Sequence, residues 1–184
     1  LLIGAALAVP SEFVDQLLDA RFPRPPAEKE AYDKIFAVAT MGKRITLIAT
    51  LVVLQPAFDE LFFRGAIFTP LRRTRRAETV IVAVAAFETL GNFSPRAMIE
   101  LLVVTLILSW IRGATGSIFP SMLARIAYDG VQVVPIALGR AELKPTKMLL
   151  AGSAIAVILG LLGLSMLSKR DARLLDARLE DGES

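Results

Sequence analysis

The 184-residue sequence contains no histidine and no cysteine. Without cysteine there is no disulfide, no thiolate metal site and no thiol nucleophile, and the redox state of the compartment leaves no mark on the chain. Without histidine the commonest neutral metal ligand and the usual general base near neutral pH are both missing. Any proton transfer falls to Asp, Glu, Lys, Tyr or the hydroxyl residues. A glycine-rich phosphate loop and an aromatic–basic RNA motif are also lacking. The basic residues flank apolar stretches, so a net charge of +3 and a pI near 9.5 do not argue for nucleic acid. There is no internal repeat and no low-complexity segment.

Apolar residues are abundant. They make up 54% of the chain, with a mean hydropathy of +0.58, against about 45–50% in a soluble domain. They fall in blocks of about 15–25 residues, enough to cross roughly 30 Å of hydrocarbon. The pattern predicts an all-α, polytopic transmembrane helical bundle in three parts. Residues 1–44 hold the end of a transmembrane helix, a polar loop and an interfacial helix; 45–167 form the core; 168–184 form a charged tail. Leu1 to Val9 has no charged flank and reads as the tail of a transmembrane helix rather than a signal peptide.

Pro10-Ser11-Glu12 reads as a new helix start, 21–30 with Pro23, Pro25 and Pro26 as a loop, and 32–40 as the interfacial helix. A long helix over 45–69 should kink at Pro56 and end at Pro70, just before Arg72, Arg73, Arg75 and Arg76. A short span over 78–90, a turn at 91–95 and a span over 96–111 follow. A tight connection at 113–116 leads to a span over 117–138, broken by Pro120 and Pro135. A loop at 139–145 and a last span over 147–167 precede a tail that is helical or frayed. The arginine cluster, Arg112 and Lys169-Arg170 share one side, which the positive-inside rule makes cytoplasmic.

Seven ionisable residues fall inside these spans or near their ends: Asp59, Glu60, Arg64, Glu88, Glu100, Arg125 and Asp129. At membrane depth such groups cost several kcal/mol unless paired, hydrated or neutralised. Glu60 and Arg64 are i,i+4 partners, as are Arg125 and Asp129 with the sign reversed. Asp59 points about 100° away from Glu60 on a helix, so the two cannot both serve Arg64. Two readings follow. The charges neutralise one another across helices and pin the bundle, or the carboxylates hold a water or metal for hydrolysis. Glu100 reads as facing the interface, Phe58, Phe62 and Phe63 as core or lipid contacts, and Gly65 as a site of close helix packing.

Asp59-Glu60-x-x-x-Arg64-Gly65, preceded by Gln55-Pro56, resembles the Glu-Glu-x-x-x-Arg-Gly motif of the CPBP intramembrane proteases, the family of the CAAX prenyl endopeptidases and bacteriocin-processing proteins. Phe87-Glu88-Thr89-Leu90-Gly91, then Asn92, is similar to its Phe-x-x-x-His motif. Gly116-Ser117-Ile118-Phe119-Pro120-Ser121-Met122-Leu123-Ala124 is similar to the lead of its His-x-x-x-Asn motif, here Arg125-Ile126-Ala127-Tyr128-Asp129. The resemblance covers about residues 45–138.

The departures fall on the chemistry. The resemblance implies that the first Glu activates water and that the two His and the Asn hold it and stabilise the oxyanion. Here those positions are Asp59, Gly91, Arg125 and Asp129. Asp59 and Glu60 become vestigial catalytic positions, and Arg64, Glu88, Arg125 and Asp129 a binding or structural charge cluster. Arg125 should draw in Asp59 or Glu60. No metal and no cofactor are expected. The expected function is that of a pseudoprotease, a binding or structural subunit of a membrane complex in a bacterial inner (cytoplasmic) membrane. Its partners would be the bilayer and membrane proteins or a transmembrane peptide. The alternative is an active endopeptidase using Asp59 and Glu60, helped by Glu88 or Asp129, with any metal held by oxygen ligands alone.

Overall fold

The computed structural model describes residues 1–37, 40–91, 95–140 and 145–182, with the backbone alone for 95–97 and 167–182. Among them are seven helices and no strand: α1 (Leu2–Arg21), α2 (Pro26–Phe36), α3 (Met41–Thr74), α4 (Ala77–Leu90), α5 (Pro95–Thr115), α6 (Ile118–Ala137) and α7 (Lys147–Gly182). Asn92 to Ser94 of the expected turn, 141–144 of the expected loop and the side chains of the charged tail lie outside the described residues.

The prolines depart most from expectation. α1 runs straight through Pro10 instead of restarting there. One lost backbone bond is outweighed by packing along two neighbours: a Cβ on Gly4 would sit 1.8 Å from the Ala124 carbonyl oxygen of α6, and one on Gly160 of α7 would sit 2.5 Å from Ile3. The expected loop over 21–30 shrinks to 22–25, because Pro26 opens α2 rather than blocking it. At the first helical position proline's fixed φ suits the helix and its missing N–H has no intrahelical partner to lose. Pro120 falls in the first turn of α6 for the same reason, after a turn at Gly116 (φ 65°) and a Ser117 cap whose Oγ accepts from the Phe119 N–H.

α3 neither breaks at Pro56 nor ends at Pro70. Wide i→i+5 turns flank Pro56 at Ala49–Leu54 and Leu61–Ile67. There the Gln55 N–H donates to the Thr50 carbonyl and the Phe68 N–H to that of Phe63. Pro56 offers no N–H and its ring crowds the carbonyl four residues back; a wide turn just before it relieves that clash without ending the helix. α3 stops at Thr74, where Arg75 turns extended (φ −131°, ψ 157°).

The main core joins α1, α5, α6 and α7 through Leu7, Ala8, Val104, Leu108, Ile111, Ala124, Tyr128 and Val157. A smaller one joins α3 to α4 through Phe68, Val80 and Val84. Three helical stretches are long and apolar enough to cross a membrane: Met41–Thr74, Met98–Thr115 and Lys147–Met166. The last has a mean hydropathy of 2.2, yet only 11% of it is buried within the protein. Met148, Leu159 and Met166 are exposed at 87%, 62% and 73%. Water would penalise such a surface, whereas hydrocarbon does not. α4, with 14 residues, rises roughly 21 Å and falls short of a full crossing by itself. Phe58 and Phe62 point outward with this lipid-facing surface. The chain is an all-α transmembrane bundle.

Candidate functional site

Five side chains from three helices form one chain of alternating charge. The Arg64 guanidinium of α3 lies at its centre and is wholly buried, as is Glu60. Its Nη1 is 3.2 Å from Glu60 Oε1 and 2.5 Å from Glu88 Oε2 of α4. Its Nη2 donates to the Thr105 carbonyl of α5 at 3.1 Å. The second Glu88 oxygen lies 3.7 Å from Arg125 Nη1 of α6, and Arg125 Nε donates to Asp129 Oδ2 at 3.0 Å. The order is Glu60, Arg64, Glu88, Arg125, Asp129, with one carboxylate more than guanidiniums.

Local structure explains how each group arrives. Glu60 ends an α-helical turn and Arg64 sits in the wide turn that follows. The Arg64 carbonyl in that turn accepts from Arg112 Nε at 3.3 Å and from Thr69 Oγ1 at 3.5 Å. Arg112 also lies over the Phe68 ring, 5.6 Å from its centroid, tying α5 to this part of α3. Gly65 admits α6 closely: a Cβ there would meet Ile118 Cδ1 at 3.3 Å. Beside Glu88, the Thr89 hydroxyl donates to the Ala85 carbonyl and lies 3.5 Å from the Thr105 hydroxyl.

The expected pairing of Arg125 with Asp59 or Glu60 is corrected by this arrangement. Glu88 reaches in from α4 between the two guanidiniums, so Glu60 faces Arg64 and Arg125 faces Glu88 and Asp129. Asp59, on the adjacent face of α3, stands apart from the chain. It lines a cavity of about 340 Å³ between α2, α3 and α6, whose walls also include Gln55, Arg125, Asp129 and Gln132. Gly91 ends α4 exposed to the surroundings (φ −66°, ψ −13°) and brings no side chain to the site.

Glu100 does not face the interface. Its Oε1 accepts from Ser11 Oγ of α1 at 2.7 Å and from the Tyr128 hydroxyl of α6 at 3.2 Å, while Ser11 and Tyr128 lie 2.7 Å apart. This second polar junction ties α1, α5 and α6 and was not foreseen from the sequence; Tyr128 inside the Arg125–Asp129 stretch was its one visible signal. Among the described residues no group of three or more acidic side chains is arranged to hold a metal ion. Chemically, the charge chain can hold charge in place: each buried carboxylate meets a guanidinium, and no imidazole stands by to relay a proton.

No curated protein and no solved structure matches the chain. Residues 41–131 match the family model described as Type II CAAX prenyl endopeptidase Rce1-like. The match runs from the start of α3 through Asp129 and so takes in every member of the charge chain. The segment that builds this site therefore belongs to the CAAX prenyl endopeptidase (CPBP) family of membrane proteins.

Proposed function

We propose that this is a multi-pass membrane protein in which the hydrolytic site of the family has become a structural ion-pair chain, and that it acts by binding, as a subunit of a membrane complex. The observation that carries the reading is Arg64 and Arg125 on either side of Glu88, with Glu60 and Asp129 at the ends. Carboxylates held against guanidiniums are poor proton acceptors. Removing one preorganised oxyanion donor costs about 2.7–4 kcal/mol of transition-state stabilisation, and this chain has replaced both motif histidines, with Gly91 and Arg125. Losses of that size together reduce peptide hydrolysis to background.

One observation favours the alternative of residual turnover: Asp59 faces the cavity outside the ion-pair chain. The test is cleavage of transmembrane and prenylated peptides by the protein purified in detergent. No cleavage above buffer is expected. Cleavage that disappears in Glu60→Ala or Asp59→Asn would overturn the non-hydrolytic reading. Recovery of the protein from native membranes without any companion would count against a subunit role.

A further inference from the structure

The cavity beside Asp59 has the composition of an amine site. Its volume, about 340 Å³, lies at the low end for small-molecule pockets. One side is apolar, with Ile35, Leu51, Val133 and Ile136. Tyr32 and Phe36 of α2 add an aromatic wall, their ring centroids 4.6 Å apart. The other side presents oxygen acceptors: the Asp59 carboxylate and the side-chain carbonyls of Gln55 and Gln132.

The charges lining this space are unequal. Arg125 is committed to Asp129 at 3.0 Å and to Glu88 at 3.7 Å, and Asp129 engages Arg125 through Oδ2. Asp59 has no ion-pair or hydrogen-bond partner among the described residues. An ionised carboxylate half-buried between apolar walls is costly, and a cation arriving beside it removes that cost. An ammonium group brings three donors and no acceptor, which suits a cluster of oxygens. An aromatic wall favours the same cation, and an alkyl stem suits the aliphatic side.

We propose that this cavity binds a small amphipathic primary amine, its ammonium seated at Asp59 and its alkyl stem against Ile35, Val133 and Ile136. The proposal rests on the non-hydrolytic reading, in that the old site is retained for binding. The two fail separately, because peptide cleavage and amine binding are measured independently.

The experiment titrates the detergent-solubilised full chain with fluorinated octylamine and with the matched octanol, following the probe by ¹⁹F NMR. Saturable binding of the amine, at least tenfold tighter than the alcohol, is expected. Asp59→Asn should weaken the amine at least tenfold and leave the alcohol unchanged. Ile136→Trp, which fills the apolar end, should weaken the amine with Asp59 intact, so a poorly folded Asp59 variant would not leave the question open. Equal binding of amine and alcohol, or amine binding indifferent to both substitutions, would overturn the proposal.

Discussion

Replacing Arg64 by leucine tests the ion-pair chain at its centre. In the native bundle Arg64 is wholly buried and touches Glu60, Glu88 and the Thr105 carbonyl. Leucine fills part of the space and leaves Glu60 facing no cation, while Glu88 keeps only Arg125 at 3.7 Å. Breaking a buried ion pair by removing one partner costs about 3–5 kcal/mol. For a protein of this length about 1 kcal/mol shifts the melting temperature by 2–4 °C. Arg64→Leu should therefore melt roughly 6–20 °C lower in the same detergent, followed by circular dichroism at 222 nm. A second variant separates loss of charge balance from loss of packing. Glu60→Met, Arg64→Leu and Glu88→Met together remove both carboxylates with the cation and leave Arg125 and Asp129 as a balanced i,i+4 pair. Apolar replacement of a whole buried cluster is often neutral or stabilising, so this triple variant should recover most of the loss. An Arg64→Leu protein melting within about 2 °C of the parent, or a triple variant no better than the single one, would refute the reasoning.

Two further substitutions probe neighbouring features. Arg125→His removes a cation that keeps 12% exposure and should cost about 1–3 kcal/mol; combined with Gly91→His it should still yield no peptide cleavage, and a stable, active double variant would place the site one or two changes from function. Gly4→Ala brings a Cβ against the Ala124 carbonyl and should destabilise by about 1–3 kcal/mol through overpacking, whereas Gly152→Ala, which meets nothing within 4 Å, should be neutral or stabilising by about 0.5–1 kcal/mol, both read from thermal melts.

Length and hydropathy made the membrane spans legible, since α7 in particular must be apolar all round to face hydrocarbon. The pairs Glu60–Arg64 and Arg125–Asp129 were legible because i,i+4 spacing is local. The bridging place of Glu88 was not, because it depends on how α4 seats against α3 and α6. Nor was the junction of Ser11, Glu100 and Tyr128, whose members lie 89 and 117 residues from Ser11 along the chain. Proline misled most: Pro10 and Pro56 have the chemistry of breakers, but packing around α1 and wide turns around Pro56 absorbed their cost.

The wide turn over Leu61–Ile67 also sets the phase of everything after it. Each residue of an ordinary helix advances the side chains by about 100°, so the number of residues held in a turn decides where the next ones point. Deleting one residue from this stretch would relax it to a tight turn and preserve the helix. It would also rotate Phe68 and its contacts with Val80 and Val84 out of register with Glu60. The turn thus works as a spacer in angle rather than in length, which makes this segment more sensitive to insertion and deletion than to most single substitutions.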